Sequence, residues 1–289
     1  MSDDIQLKTT LHSDSTTSTE FNSKSIKSKI FRLDILFILT TILVIILMFE
    51  FKFLNIFSRS SLSSVISFIS SNFWPPNTSE VVQQNIRYAM LETIKMSLIG
   101  TYFGTLMSLP LSVLAARNLM PNYVSTPFRI LLAGIRTVPS LIWALIFVVL
   151  FGLGPRSGTL ALAIYTMGYL GKFQYETFEG LSTEAFEALK AHGASRLQTI
   201  RFIVFPESAN QLISQVIFMF EYNVRAGSII GFVGAGGIGF LLSFYISYFQ
   251  FSALVTALLY LLITVIIIDY LGGKIRETFQ DENFDKLEL

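Results

Sequence analysis

The chain of 289 residues has no cysteine and only two histidines, His12 and His192. Disulfides, thiolate zinc sites and cysteine nucleophiles are thereby excluded, and a histidine-built metal site or proton relay has too few members. Charge is also scarce. Asp, Glu, Lys and Arg together make up 14% of the residues, against roughly one quarter in soluble domains. Hydrophobic residues reach 52%, and the net charge is +1, so no overall field draws nucleic acid or another polyanion. No G-x-x-x-x-G-K-[ST] phosphate loop occurs, which removes nucleotide hydrolysis by that route.

What the sequence does have is long uncharged runs. About 20 apolar residues are needed for a helix to cross roughly 30 Å of hydrocarbon with its backbone bonded internally. Such runs, some extended by snorkelling flanks, lie at Ile35 to Phe49, Met96 to Ala116 with Pro110 as a kink, Thr137 to Pro155, and Ser157 to Gly171. Ala226 to Ile268 holds no charge at all and is about twice one span. Its glycine cluster divides it into a helix from about Ser208 to Phe232 and another from about Phe251 to Leu271. The pattern predicts an all-α integral membrane protein with about six transmembrane helices. Residues 1–32, rich in Ser, Thr, Asp and Lys, read as a disordered tail. Residues 33–54 read as the first helix, 88–275 as the transmembrane core, and 276–289 as a short C-terminal tail.

Basic residues set the orientation. With the N-terminus inside, Lys52, Arg59, Arg87 and Arg156 fall outside, Lys95 ends a helix and Arg225 lies within one. Every other Lys and Arg, Arg136 among them, is then on the inner side. Both termini are expected in the cytoplasm of a multi-pass plasma (inner) membrane protein, with the segment between Lys172 and Glu207 on the same side.

That segment carries a helical pattern capped by Ser182 or Thr183, with Phe186, Leu189 and Ala191 among polar residues. Gly193 stops it, and a second run leads to Pro206. A short amphipathic helix held so between two spans suits the groove of another protein, or lies on lipid headgroups. Its residues decide further. Glu187-Ala188-Leu189, three residues, Gly193, nine residues, then Ile203-Val204-Phe205-Pro206 resembles the EAA loop of ABC importer permeases, at about 182–206. Leu189 and Phe205 depart from that pattern but stay apolar. The blocks RTVPSLIWALIFVVLFGLGPRSGTLALAIYTMGYLGK and FEYNVRAGSIIGFVGAGGIGF are similar to the phosphonate-type branch of these type I permeases, and the similarity covers roughly Glu92 to Leu271.

The resemblance implies a type I ABC importer permease fold with a cytoplasmic coupling helix, built on Glu184, Glu187, Ala188, Gly193, Ala194, Ile203 and Pro206. It implies a homodimer, two cytoplasmic ABC ATPase subunits that use ATP and Mg, and an extracytoplasmic substrate-binding protein. The permease itself would hold no cofactor or metal and would have no catalytic residue. The substrate implied is phosphonate or a related phosphorus oxyanion. Phosphate, phosphite or a methionine-like solute stay open, as does an ATP-independent secondary transporter, although no repeated halves are visible.

Within the spans, Glu221 and Arg225 are four residues apart on one helical face and are expected to pair or to face a water-filled path. Arg225, with Asn223, either fixes packing or gating or meets an anionic substrate through its guanidinium. Gly234, Gly236 and Gly237 fit a bend at the outer end of the fifth helix, where the backbone can approach a neighbour, better than a dinucleotide loop, which needs a preceding strand; the resemblance implies that this block lies near an outer gate. Ser140 and Trp143, after Pro139, either line a cavity or pack.

Overall fold

The computed structural model describes residues 34–52 and 59–285, and all regular structure within them is helical. The expected tail, residues 1–32, lies outside the described residues. The chain divides into two units at Ser71 and Asn72.

In the first unit, helix α1 occupies residues 34–50 and carries the first predicted span. Helix α2 (Arg59–Asn72) follows. It is rich in serine, and the hydroxyl groups of Ser67 and Ser71 donate to the carbonyl oxygens of Ser64 and Ser67 at 2.9 and 2.7 Å. Hydroxyls turned back on their own helix no longer require water.

The second unit is a bundle around α3 (Glu80–Ala115) and α6 (Pro155–Glu179). The Ser79 side chain accepts from the Val82 N–H at 3.4 Å and starts α3, with Glu80 in its first turn. One face of α3 carries Thr93, Ser97, Thr101 and Thr105. Each hydroxyl donates to the carbonyl four residues earlier, at 2.7 to 2.9 Å. Self-satisfied small residues let a second helix come close. At Gly104 the approach is close, since a Cβ there would stand 2.5 Å from that of Thr166 and 2.8 Å from the Ala163 carbonyl oxygen. Helix α6 turns Gly158, Ala161, Gly168 and Gly171 inward as well.

The third predicted span is corrected. Instead of one helix from Thr137 to Pro155 there are two, α4 (Asn122–Thr137) and α5 (Ser140–Phe151), bent by 86°. Pro139 is the cause: it disfavours the helical conformation at Val138 and has no N–H to give the Ile135 carbonyl. The Trp143 indole N–H fills that vacancy at 3.2 Å. The pair still accompanies α6 along its length, with Leu132 against Gly171, Ile135 against Gly168, and the Ser157 hydroxyl donating to the Phe147 carbonyl at 3.1 Å. Arg136 therefore sits in the last turn of α4, ahead of the break, with its backbone beside Gly168 of α6.

Helix α7 (Thr183–Ala191) and the short α8 (Arg196–Thr199) form the loop between α6 and α9 (Phe205–Ile230). The fifth helix is longer than the predicted Ser208 to Phe232. A π-turn at Ile200–Val204 joins α8 to α9, and the helical rod runs from Arg196 to Val233. Pro206 does not break it. The wide turn, with Phe205 N–H donating to the Ile200 carbonyl, lets a residue without a donor enter the first turn of α9.

Gly236 and Gly237 then start an unpredicted short helix, α10 (Gly237–Ser247), before α11 (Phe251–Asp285). Helix α11 continues through the expected end at Leu271 and into the expected tail. Among the described residues, three helices are long and apolar enough to cross a membrane, and the α4–α5 pair makes a fourth. The expectation of about six counted α1, which has 17 described residues, and α6, whose inward glycines, serines and threonines lower its hydropathy although it is 25 residues long.

Two apolar clusters mark the bundle's ends. Ala115, Leu132, Phe178 and Val204 pack at the end bearing α7. Ile86, Met90, Ile238 and Leu242 pack at the end bearing the glycine turn.

Candidate functional site

The loop bearing α7 is firmly built. Gly193, with φ of +75°, reverses the chain after α7 in a conformation that side chains with a Cβ rarely adopt. The Ala194 N–H then donates to the Leu189 carbonyl at 3.2 Å. Ser195 and Gln198 form a reciprocal capping box at the start of α8. The apolar face of α7 turns inward through Phe186 and joins the cluster at this end of the bundle, where Ile203 is also buried. Glu184, Glu187, Ala188 and Gly193 face out and are exposed, as is Pro206. The candidate coupling residues thus divide into a buried anchor and an open face. To that face the structure adds Leu197, 76% exposed.

Beneath α7 lies a cavity of about 560 Å³, lined by Arg117, Glu179, Phe186, Glu187 and Arg196 among others. Glu179, at the end of α6, is its fixed point. Its Oε1 accepts the Arg117 backbone N–H at 2.6 Å and forms an ion pair with Arg129 of α4. Arg129 Nε also donates to the Ala115 carbonyl at 2.8 Å, satisfying the end of α3, and the guanidinium covers the Tyr175 ring at 4.3 Å. Three helices are tied where the loop begins. The sequence reading missed this tie, for which the only signal is an arginine in the amphipathic α4.

Midway along the bundle is a polar layer. Asn223 is fully buried and donates through Nδ2 to Thr101 Oγ1 and Thr166 Oγ1, both at 2.8 Å. It joins α9 to α3 and α6 as an interhelical tie.

The expected Glu221–Arg225 pair is corrected too. Both residues pair with α11 instead. Arg276 lies 3.0 Å from Glu221, and Arg225 lies 3.0 Å from Asp269. The helices run antiparallel, so 221 meets 276 while 225 meets 269. Glu221 can come so close because Gly272 offers no side chain there: a Cβ would overlap Glu221 Oε1. Glu221 is 6% exposed at its side chain, Arg225 and Asp269 42% each. The buried member is held and the outer pair is partly open.

The glycine turn closes the other end. Gly234 and Gly236 both have φ of +85°, and the Gly234 carbonyl accepts from the Gly154 N–H at 2.8 Å. A Cβ on Gly236 would lie 2.7 Å from Glu92 Oε1 and 2.8 Å from the Pro155 nitrogen. Glu92 of α3 accepts the Gly237 N–H at 2.8 Å, and Thr93 Oγ1 accepts that of Ile238 at 2.8 Å. A carboxylate and a hydroxyl on α3 thereby cap α10, where the helix dipole favours negative charge. Ser140 is half-buried at the start of α5. Trp143 seals the α4–α5 break and stacks toward Phe147.

Residues 108–275 match the family described as binding-protein-dependent transport system inner membrane component. The phosphite transport system permease protein PtxC of Stutzerimonas stutzeri is 36% identical over 66% of this chain and 70% of its own length. The phosphate-import permease protein PhnE of Mycolicibacterium smegmatis is 34% identical over 70% of this chain, which spans 38% of that protein. Among solved structures, an inward-facing conformation of the MetNI methionine ABC transporter aligns with a TM-score of 0.63 at 22% identity, over 70% of this chain and 99% of that one. These relatives are permeases rather than enzymes, and their family implies an ATPase and a substrate-binding protein as partners. With an EAA loop anchored on a helical bundle and a family match over more than half its length, the chain belongs to the permease subunits of binding-protein-dependent ABC importers.

Proposed function

We propose that this permease forms a homodimer and carries a phosphorus oxyanion, of the phosphite, phosphate or phosphonate class, into the cell. The reading of the substrate is carried by the permease relatives named for phosphite and phosphate, each about one third identical. Hydrolysis of ATP belongs to a separate ATPase subunit. Its docking site is the outward face of α7 and α8, with Glu184, Glu187 and Leu197 presented on a loop that Gly193 and the capping box keep rigid. Both termini and this loop lie in the cytoplasm, following the basic residues. The glycine turn at Gly234, Gly236 and Gly237 then belongs to the opposite, outer gate. ATP binding draws the loops together and opens the dimer toward the binding protein, a two-state exchange driven by differential affinity.

The test is ATPase activity of the permease reconstituted in liposomes with the ATPase and binding protein encoded beside it. Binding protein loaded with phosphite, phosphate or methylphosphonate should stimulate hydrolysis above the empty protein. Gly193→Ala, which strains a left-handed turn at a cost of about 1 kcal/mol, should leave the complex assembled but remove the stimulation. Stimulation only by a ligand without phosphorus would replace the substrate, and failure to associate with the ATPase would end the coupling assignment.

A further inference from the structure

Three guanidinium groups lie near the level of the polar layer, and Arg276 is neutralised by Glu221. Arg225 is neutralised by Asp269. Arg136 is not: no ion pair involves it among the described residues, and its guanidinium carbon stands 5.6 Å from the centroid of the Tyr169 ring.

Helix α6 sets its depth. The Arg136 backbone nitrogen is 3.2 Å from where a Cβ on Gly168 would stand, and Gly168 is midway along Pro155–Glu179. That is about 16 Å from the loop end at 1.5 Å per residue. An unpaired cation at such depth costs several kcal/mol against hydrocarbon, so it faces water or a polar path.

Its surroundings suit an anion. Tyr165 and Tyr222 share an O–H···O bond of 2.8 Å, and the Tyr169 ring lies 4.6 Å from Tyr165 and 6.4 Å from Tyr222. Tyr169, which faces the guanidinium, thus belongs to a cluster of three phenols, and phenol hydroxyls are directional donors of the kind oxyanions accept. The face continues toward the loop end. Tyr169 meets Phe173 edge-on, and Phe173, Thr177, Gln211, Gln215 and Glu176, the last paired with Lys172 at 3.2 Å, line a cavity of about 300 Å³. There Gln215 Nε2 donates to Thr177 Oγ1 at 2.8 Å, while its buried Oε1 has no partner among the described residues.

We propose that Arg136, with the hydroxyl groups of Tyr169 and Tyr222, is the contact at which a tetrahedral phosphorus oxyanion exchanges water for protein donors midway through the membrane, the α6–α9 groove conducting it onward to the loop end. The proposal rests on the oxyanion reading above. A single cation backed by neutral phenols attracts the ion without trapping it, as transit requires. Arg225, already paired, takes no part in this contact.

The absence of cysteine allows a direct test. In the reconstituted complex with its ATPase and binding protein, uptake of radiolabelled phosphite, phosphate and methylphosphonate is measured beside ATPase stimulation. Arg136→Gln should lower uptake at least tenfold, with stimulation by loaded binding protein kept within about twofold, and Arg136→Lys should retain more uptake than Arg136→Gln. Separately, Arg136→Cys should react with the water-soluble anionic reagent sulfonatoethyl methanethiosulfonate, and phosphite should slow the reaction. Val149→Cys, on the apolar surface of α5 and 79% exposed, should stay unlabelled. Wild-type uptake by Arg136→Gln, or an unreactive Arg136→Cys in a complex that elutes like wild type, overturns the assignment of Arg136 while leaving the substrate class standing. If wild type takes up none of the three probes, the substrate reading falls and this contact with it.

Discussion

The α3–α6 seam and the α9–α11 seam hold the same bundle together by opposite means. Apart from the Arg129–Glu179 tie at the loop end, no ion pair holds α3 to α6 among the described residues. Glycines and alanines bring the backbones close, and threonine and serine hydroxyls bond to their own helices. Between α9 and α11 two ion pairs cross the seam, one nearly buried and one partly open. Close packing depends on shape and has essentially one arrangement, whereas ion pairs can separate and re-form wherever water reaches them. The first seam is suited to staying closed, and the second to changing.

Four substitutions probe that contrast, ordered by size of effect. Gly104→Leu should be the most damaging, because its Cβ and beyond must displace Thr166 and the α6 backbone. Overpacking of this kind costs about 1–3 kcal/mol and often more, so thermal unfolding in detergent should show a large loss of midpoint or no monodisperse protein. Glu221→Ala comes next, at about 2 kcal/mol, since it leaves Arg276 facing a buried position without its partner. The exchange Glu221→Arg with Arg276→Glu should recover part of that loss, and an exchange no better than the single change would argue against the pair. Asn223→Ala, which removes two bonds but leaves Thr101 its own helical acceptor, should cost about 1 kcal/mol. The smallest effect belongs to the outer pair. Changing Arg225 and Asp269 together to Ala should cost less than about 1 kcal/mol, and less than either change alone.

The two seams also differ in how far they could be read from sequence. The uncharged runs at Met96 to Ala116 and Ser157 to Gly171 mark α3 and α6 as helices, and the spacing from Glu187 to Pro206 locates the loop. Both are local patterns. The partners of Glu221 and Arg225 were misassigned because a helical repeat of four offers the nearest opposite charge, while Asp269 and Arg276 are some 50 residues away in sequence and reach them only through the antiparallel approach of α11. The helix that holds Arg136 was hidden for a related reason. A charge at the edge of an apolar run reads as a boundary, and only the proline break, sealed by Trp143, shows that Arg136 belongs to a separate preceding helix. Pro139 was itself a usable signal, whereas the Arg129–Glu179 tie had none as plain.

The unbroken rod from Arg196 to Val233 makes a lever. If the Asn223 tie serves as its fulcrum, the arm toward the loop is about 40 Å and the arm toward the glycine turn about 15 Å, at 1.5 Å per residue. The arms are unequal, so a swing of about 5 Å at the loop end delivers about 2 Å at the far end, in the opposite sense and with greater force. On the proposed coupling, a coarse stroke at the loop would arrive at the glycine turn as a fine one.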